Sequence, residues 1–177
     1  MSKNIVVLSG SPRINGNSEK LISAFEDGAV SVGKTVTVFR IAKMKIAGCC
    51  GCEFCFNDDG ICTIHDDMTG ILDALRHADA VVWASPIYYY SLNSQLKTAI
   101  DRMYPLVCDS TKRTALLLTC AYNTIDTADG AVMIYNKMVD YYKWDNAGIV
   151  IATGVEHLGD IDGNEKLETA RLLGIEI

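Results

Sequence analysis

Five short runs of aliphatic residues, at 5–8, 35–41, 80–84, 114–119 and 147–152, recur along the chain with helix-length segments between them. Several are continuous Val/Ile/Leu stretches rather than alternating ones, as expected for parallel strands covered on both faces. The segments between them carry helical spacing. Leu21, Phe25 and Ala29 repeat every four residues, as do Leu92, Leu96 and Ile100, and Val132, Tyr135, Val139 and Tyr142 follow the three-to-four pattern. A last helix is predicted from near residue 164 to 173, with Gly174 as its stop. Strands alternating with helices predict an α/β fold: a doubly wound, five-stranded parallel sheet in the order 2-1-3-4-5, with helices on both faces. The 177 residues fit one domain, spanning 1–177, and show no internal repeat or linker. In such sheets ligands bind beyond the carboxyl ends of the strands, where the strand order reverses. The loops after the first, third and fourth runs are therefore the ones to inspect.

The first of these loops has the chemistry of an anion site. The run at 5–8 stops at Ser9-Gly-Ser-Pro-Arg-Ile-Asn-Gly-Asn-Ser18, and a helical pattern starts at once from Asn17 or Ser18. Free backbone N–H groups and the positive end of the helix converge there. Arg13 and the hydroxyls of Ser9, Ser11 and Ser18 add further donors. No Gly-Lys-Ser/Thr follows a four-residue gap, and Gly10 and Gly16 are six apart with no third glycine in register, so neither a Walker A loop nor a dinucleotide fingerprint is present. A Cys-x5-Arg phosphate loop is missing too. The third loop, Ser85-Pro-Ile-Tyr-Tyr-Tyr-Ser-Leu-Asn93, followed by a helix expected over Ser94–Arg102, offers three rings with polar tips, a surface suited to a flat aromatic ligand. Thr119-Cys-Ala-Tyr-Asn123, after the fourth run, supplies polar groups at the same rim.

Charge and composition narrow the partners. A net charge of −6 argues against nonspecific nucleic-acid binding and against an anionic membrane surface. No apolar run approaches the roughly 20 residues of a membrane span, and the start of the chain is too short for a secretory leader. Seven cysteines, an odd number, argue against a secreted disulfide framework, so a cytoplasmic location is expected. Five of the seven crowd into the long connection after the second run, and Cys49, Cys52, Cys55 and Cys62 stand in C-x2-C-x2-C-x6-C spacing, with Cys50 extra. Four close thiols on a loop with Gly48, Gly51 and Gly60 form a candidate [4Fe–4S] ligand set, with small buried hydrophobes as the bland alternative. A zinc site fits less well, since it usually takes two pairs set further apart. Cys108 and Cys120 are expected in the core. Asp66 and Asp67 are expected to cap the next helix, and no histidine has a partner that suggests a nucleophile–base pair.

Taken together, the Ser9–Ser18 motif, the cysteine loop ending in Asp66-Asp67-Met68, and Ser85-Pro-Ile-Tyr … Gln95-Leu-Lys-x-x-x-Asp-Arg102 resemble the flavodoxin-like NADPH-dependent FMN reductase family. The cysteine spacing is similar to that of its iron–sulfur flavoprotein branch. The resemblance implies FMN phosphate near Ser9, Ser11, Arg13, Asn17 and Ser18. It implies the isoalloxazine against Pro86, Ile87, Tyr88, Tyr89 and Ser91, with Thr119, Ala121 and Asn123 close by. It further implies a homodimer or homotetramer in which the long loop and last helix complete a neighbour's site. The expected activity is transfer of reducing equivalents from NAD(P)H through FMN to a small-molecule acceptor such as a quinone or flavin, in a ping-pong cycle that needs no catalytic side chain. The alternative is electron transfer through a [4Fe–4S] cluster on the cysteine loop.

Overall fold

The computed structural model describes residues 3–56, 60–106 and 111–177. Its strands are β1 (Asn4–Ser9), β2 (Thr35–Arg40), β3 (Ala80–Tyr88), β4 (Ser91–Leu92), β5 (Arg113–Thr119) and β6 (Asp145–Ala152). Its helices are α1 (Asn17–Ser31), α2 (Met68–Arg76), α3 (Ser94–Asp101), α4 (Asp129–Tyr142) and α5 (Glu165–Glu176). The long strands pair in parallel in the order β2-β1-β3-β5-β6, the doubly wound order expected for the five aliphatic runs. The expectation of five strands needs correcting to six. β3 runs on past residue 84 to Tyr88 and folds back into β4, which pairs with it antiparallel. Leu92, which shares the four-residue spacing of Leu96 and Ile100, lies in that short strand, and the helix expected over Ser94–Arg102 starts at Ser94.

Continuous aliphatic strands have to be covered twice, and the core divides accordingly. Ile5, Val7, Val82 and Leu117 meet α1 and α5 on one face, through Leu21, Phe25, Ala170 and Leu173. Val6, Leu8, Trp83 and Leu116 meet α2, α3 and α4 on the other, through Leu75, Leu96 and Tyr135. The Tyr135 ring stands edge-on to Trp83 at 5.5 Å, and its hydroxyl donates to Asn146 Oδ1 at 2.9 Å.

The last helix also departs from expectation. Asn164 caps it by accepting from the Lys166 N–H at 2.9 Å, but the helix runs through Gly174 to Glu176. Gly174 is a contact rather than a stop: a Cβ there would lie 2.0 Å from the Phe25 carbonyl oxygen, and one on Gly28 would lie 1.9 Å from that of Arg171. The paired glycines let the backbones of α1 and α5 touch. Among the described residues, no helix is long and apolar enough to cross a membrane.

Candidate cofactor cleft and cysteine pocket

The carboxyl ends of β1, β3, β5 and β6 open onto a cleft of about 270 Å³. Ser11, Arg13, Asn17 and Ser18 line it from the first loop, Pro86, Ile87 and Tyr88 from the third, and Thr119 and Ala121 from the loop after β5. Gly16, Val155 and Glu156 complete it. No side chain caps the start of α1 at Gly16, so the first-turn N–H groups face the cleft without a competing side-chain acceptor. Arg13 lies along the rim, where Nη1 donates to the Glu156 carbonyl at 3.0 Å. The Ser18 hydroxyl meets that of Thr119 at 2.6 Å, tying α1 to the end of β5.

Asn17 lines the cleft as expected, and its side-chain amide is engaged with the loop after β6. Its Nδ2 donates to the carbonyls of Val155 (3.1 Å) and His157 (2.8 Å), and its Oδ1 accepts from the Gly159 N–H at 3.2 Å. The side chain thus pins the loop after β6 against the helix start. That loop is the part of the cleft the sequence reading missed. Its signal is that β6, like β1, β3 and β5, ends at the carboxyl edge of the sheet.

A second staple joins the loops across the switch point. Asn93 Nδ2 donates to the Gly10 carbonyl, Ser85 Oγ donates to Asn93 Oδ1 at 3.1 Å, and the Asn93 N–H donates to Ser85 Oγ at 3.0 Å. Asn93 Oδ1 sits 2.2 Å from where a Gly10 Cβ would be, so only glycine fits there.

Beside the cleft is a second pocket of about 320 Å³ between the tip of the β3–β4 hairpin and the loop after β5. Tyr89, Tyr90, Tyr122, Cys120 and Thr127 line it, and it shares Ile87 and Ala121 with the cleft. The hairpin turn is unusual. Tyr88 pairs with Ser91, so Tyr89 and Tyr90 are its two central residues, and both are left-handed (φ 48° and 63°). Such primed turns favour Asn-Gly, because a Cβ is crowded at positive φ. Three of the expected site residues line neither pocket. Ser9 is buried beneath the first loop, Ser91 sits in β4, and Asn123 packs on Gly154.

These residues fit FMN. The Ser9 hydroxyl is fully buried with no hydrogen-bond partner among the described residues, directly under the loop that would receive a phosphate. The uncapped helix start and Arg13 supply further anion donors, and the tyrosine pocket continues the cleft with the surface a flat ring requires.

The cysteine loop forms a separate site. Cys49, Cys50, Cys52, Cys55 and Cys62 line one pocket of about 60 Å³ with Arg102 and Tyr104. The Phe54 N–H and the Thr63 hydroxyl, 3.7 Å from Cys52 Sγ, hold the Cys52 thiol below its ordinary pKa. Burial, with the thiols of Cys62, Cys52 and Cys49, pushes Cys55 up. The donor set suits a thiolate-bound centre. Among the described residues, however, no three Cys, His, Asp or Glu side chains converge on one point, so ligation requires the thiols to turn inward. Cys120 is buried, as expected of a core residue, and Cys108 lies outside the described residues.

The neck of this loop is closed by a buried ion pair. Arg102, at the end of α3 with its side chain 1% exposed, donates from Nη1 to Asp66 Oδ2 (2.9 Å) and to the Ala47 carbonyl (2.9 Å). Nη2 donates to the Ile64 carbonyl at 3.0 Å and to Asp66 Oδ1 at 3.2 Å. Asp66 also accepts from the N–H groups of Ala47 (2.8 Å) and Met68 (3.0 Å), the second being the expected helix cap. Asp67 instead accepts from the Lys45 N–H at 2.6 Å. Burial works to raise the Asp66 pKa, but the Arg102 hydrogen bonds and the two N–H groups outweigh it and hold the carboxyl below its usual range.

Comparison with known proteins places this geometry among relatives. An iron-sulfur flavoprotein of Archaeoglobus fulgidus is 40% identical over 96 residues, covering 54% of this chain and 43% of its own length. One from Methanosarcina thermophila is 40% identical over 99 residues, covering 55% of this chain and 51% of its own. The chain thus spans about half the length of these curated relatives. In fold it is similar to an NAD(P)H:quinone oxidoreductase from Methanothermobacter marburgensis (TM-score 0.80, 18% identity, 99% and 96% of the two chains). It is also similar to an azoreductase from Bacillus anthracis (TM-score 0.76, 18% identity, 99% and 100%). The model of the NADPH-dependent FMN reductase family matches residues 3–123, more than half of the chain, and this protein belongs to that family.

Proposed function

We propose that the chain binds FMN across the cleft and the tyrosine pocket and acts as an NAD(P)H oxidoreductase, passing reducing equivalents to a small acceptor such as a quinone or flavin by a ping-pong cycle. The observation that carries this is the continuity of an anion cradle, with its unpartnered buried Ser9 hydroxyl, into a tyrosine-lined pocket through Ile87 and Ala121. Family membership and fold neighbours named as quinone oxidoreductase and azoreductase support the reading. When bound, the flavin supplies the hydride chemistry. The chain's own residues orient it. Ser9, Ser11, Arg13, Ser18 and the first-turn N–H groups hold the phosphate, Thr119 fixes Ser18, and the hairpin from Ile87 to Ser91 borders the ring. Among the described residues, Glu156 is the one carboxylate lining either pocket, and it lies beside Arg13. Initial rates against NAD(P)H at several acceptor concentrations test the cycle. Parallel double-reciprocal lines are expected, and intersecting lines remove the ping-pong mechanism.

A second reading is favoured by the cysteine pocket. Four cysteines at the C-x2-C-x2-C-x6-C spacing line one cavity, and the curated relatives are named iron-sulfur flavoproteins. In it, Cys49, Cys52, Cys55 and Cys62 would hold a [4Fe–4S] cluster, which would supply one-electron transfer beside the flavin site. Anaerobic purification followed by flavin, iron and sulfide analysis decides between the readings, and FMN with negligible iron removes the second. We place the protein in the cytoplasm as a homodimer or homotetramer. Light scattering on the eluting peak tests the assembly, and a monomer overturns it.

A further inference from the structure

We infer that Arg102 is the positioning residue of the cysteine pocket: it locks the neck of the loop so that its cysteines line one cavity, and it offers a hydrogen bond to a sulfur-rich group held there. The inference rests on the second reading for the identity of that group, but not for the lock itself.

Three observations converge on this side chain. First, its Nη groups bond both limbs of the loop, Ala47 on the entering side and Ile64 and Asp66 on the leaving side, so one guanidinium spans the whole excursion. Lys45 and Asp67 add a matching pair below it, through Lys45 N–H to Asp67 Oδ2 at 2.6 Å and Asp67 N–H to the Lys45 carbonyl at 3.2 Å. Second, Arg102 itself lines the cavity, as does Cys62. Third, its Nε–H is buried and has no hydrogen-bond partner among the described residues. A buried donor without a partner is costly, and a thiolate or sulfide in the cavity is an acceptor of the required kind. The fixed positive charge suits an occupant built from several thiolates. Bidentate geometry explains the choice of Arg: a lysine would keep the charge but cannot bridge Ala47, Ile64 and Asp66 together.

The test uses the FMN-loaded protein with reduced thiols, as wild type, R102K, R102M and the double variant D66N/R102M. The double variant leaves no lone buried carboxylate and so separates loss of the lock from loss of the fold. Cobalt(II) is the probe, read by its thiolate charge-transfer absorption, together with amide hydrogen exchange across residues 45–66. Wild type is expected to develop the band. R102M and the double variant should bind cobalt at least tenfold more weakly and lose protection over the loop, R102K should fall between, and FMN content should stay unchanged in all four. Wild-type cobalt affinity and loop protection in both Met variants overturn the proposal, as does a wild-type chain with no cobalt–thiolate band. Reconstitution with ferrous iron and sulfide reads the cluster separately. A wild-type chain that binds cobalt but takes up no iron and sulfide removes the cluster reading, while weaker cobalt binding in the variants still supports the lock.

Discussion

Replacing the two tyrosines of the β3–β4 turn should make the flavin-free protein more stable and the flavin complex weaker. Tyr89 is 99% exposed and Tyr90 64%, so removing their rings from the free protein sacrifices little packing. Both are left-handed, a conformation that costs a residue with a Cβ about 1–2 kcal/mol. In Tyr89→Asn/Tyr90→Gly the glycine carries no Cβ strain but gives back about 0.4–1 kcal/mol through its freer unfolded chain, and asparagine tolerates the left-handed region well. A net gain of about 1 kcal/mol follows, and for a chain of this size that raises the melting temperature by about 2–4 °C. FMN should move the opposite way. Loss of ring contacts worth about 0.5–1.5 kcal/mol each weakens binding from a few-fold to beyond tenfold. Differential scanning fluorimetry with an external dye on flavin-free protein reads the first effect, and quenching of FMN fluorescence on titration reads the second. A flat or lowered melting temperature in the flavin-free variant refutes the strain, and unchanged FMN affinity refutes the placement of the ring beside the hairpin.

Ser9→Ala should leave the flavin-free protein as stable or slightly more so, because it removes a buried hydroxyl with no partner among the described residues, while weakening FMN about tenfold in the same titration. Gly174→Ala should destabilise by about 3 kcal/mol in urea unfolding, since its Cβ falls 2.0 Å from the Phe25 carbonyl oxygen and α5 must move off α1. Acidification should release the cysteine loop before the sheet. The Asp66 carboxyl is held below its unfolded value, so its contribution is complete above about pH 4, where the unfolded carboxyl is ionised, and is lost as pH falls through the lower folded value. Hydrogen exchange of residues 45–66, corrected for intrinsic rates, should therefore rise at the acid end ahead of β1 and β3, and in D66N this acid step should be missing.

The parallel sheet was legible because its strands are buried on both faces and so are written as unbroken aliphatic runs. β4 was not, since two residues carry no period and their pairing follows from the turn at Tyr89 and Tyr90. Gly174 misled for a related reason. A glycine near a helix end has the same letter whether it stops the helix or admits a neighbouring backbone, and only the position of α1 distinguishes the two. Within the site, the grouping of Ser11, Arg13 and Ser18 at a helix start was readable from local chemistry alone. The tethering role of Asn17 depends on carbonyls some 140 residues away, and the lock at Arg102 joins three segments, so neither has a local signature.

The staple formed by Asn93, Gly10 and Ser85 bears on how far this site can be rebuilt. The loop after β1 and the loop after β3 do not behave as independent modules, because one buried amide occupies the space above Gly10 and completes the hydrogen bonds of both. A graft of either loop alone from a relative would leave a clash or a vacant acceptor at the seam. The smallest transplantable unit is residues 9–18 together with 85–96, and variation between relatives should be inherited across that pair of segments as one block.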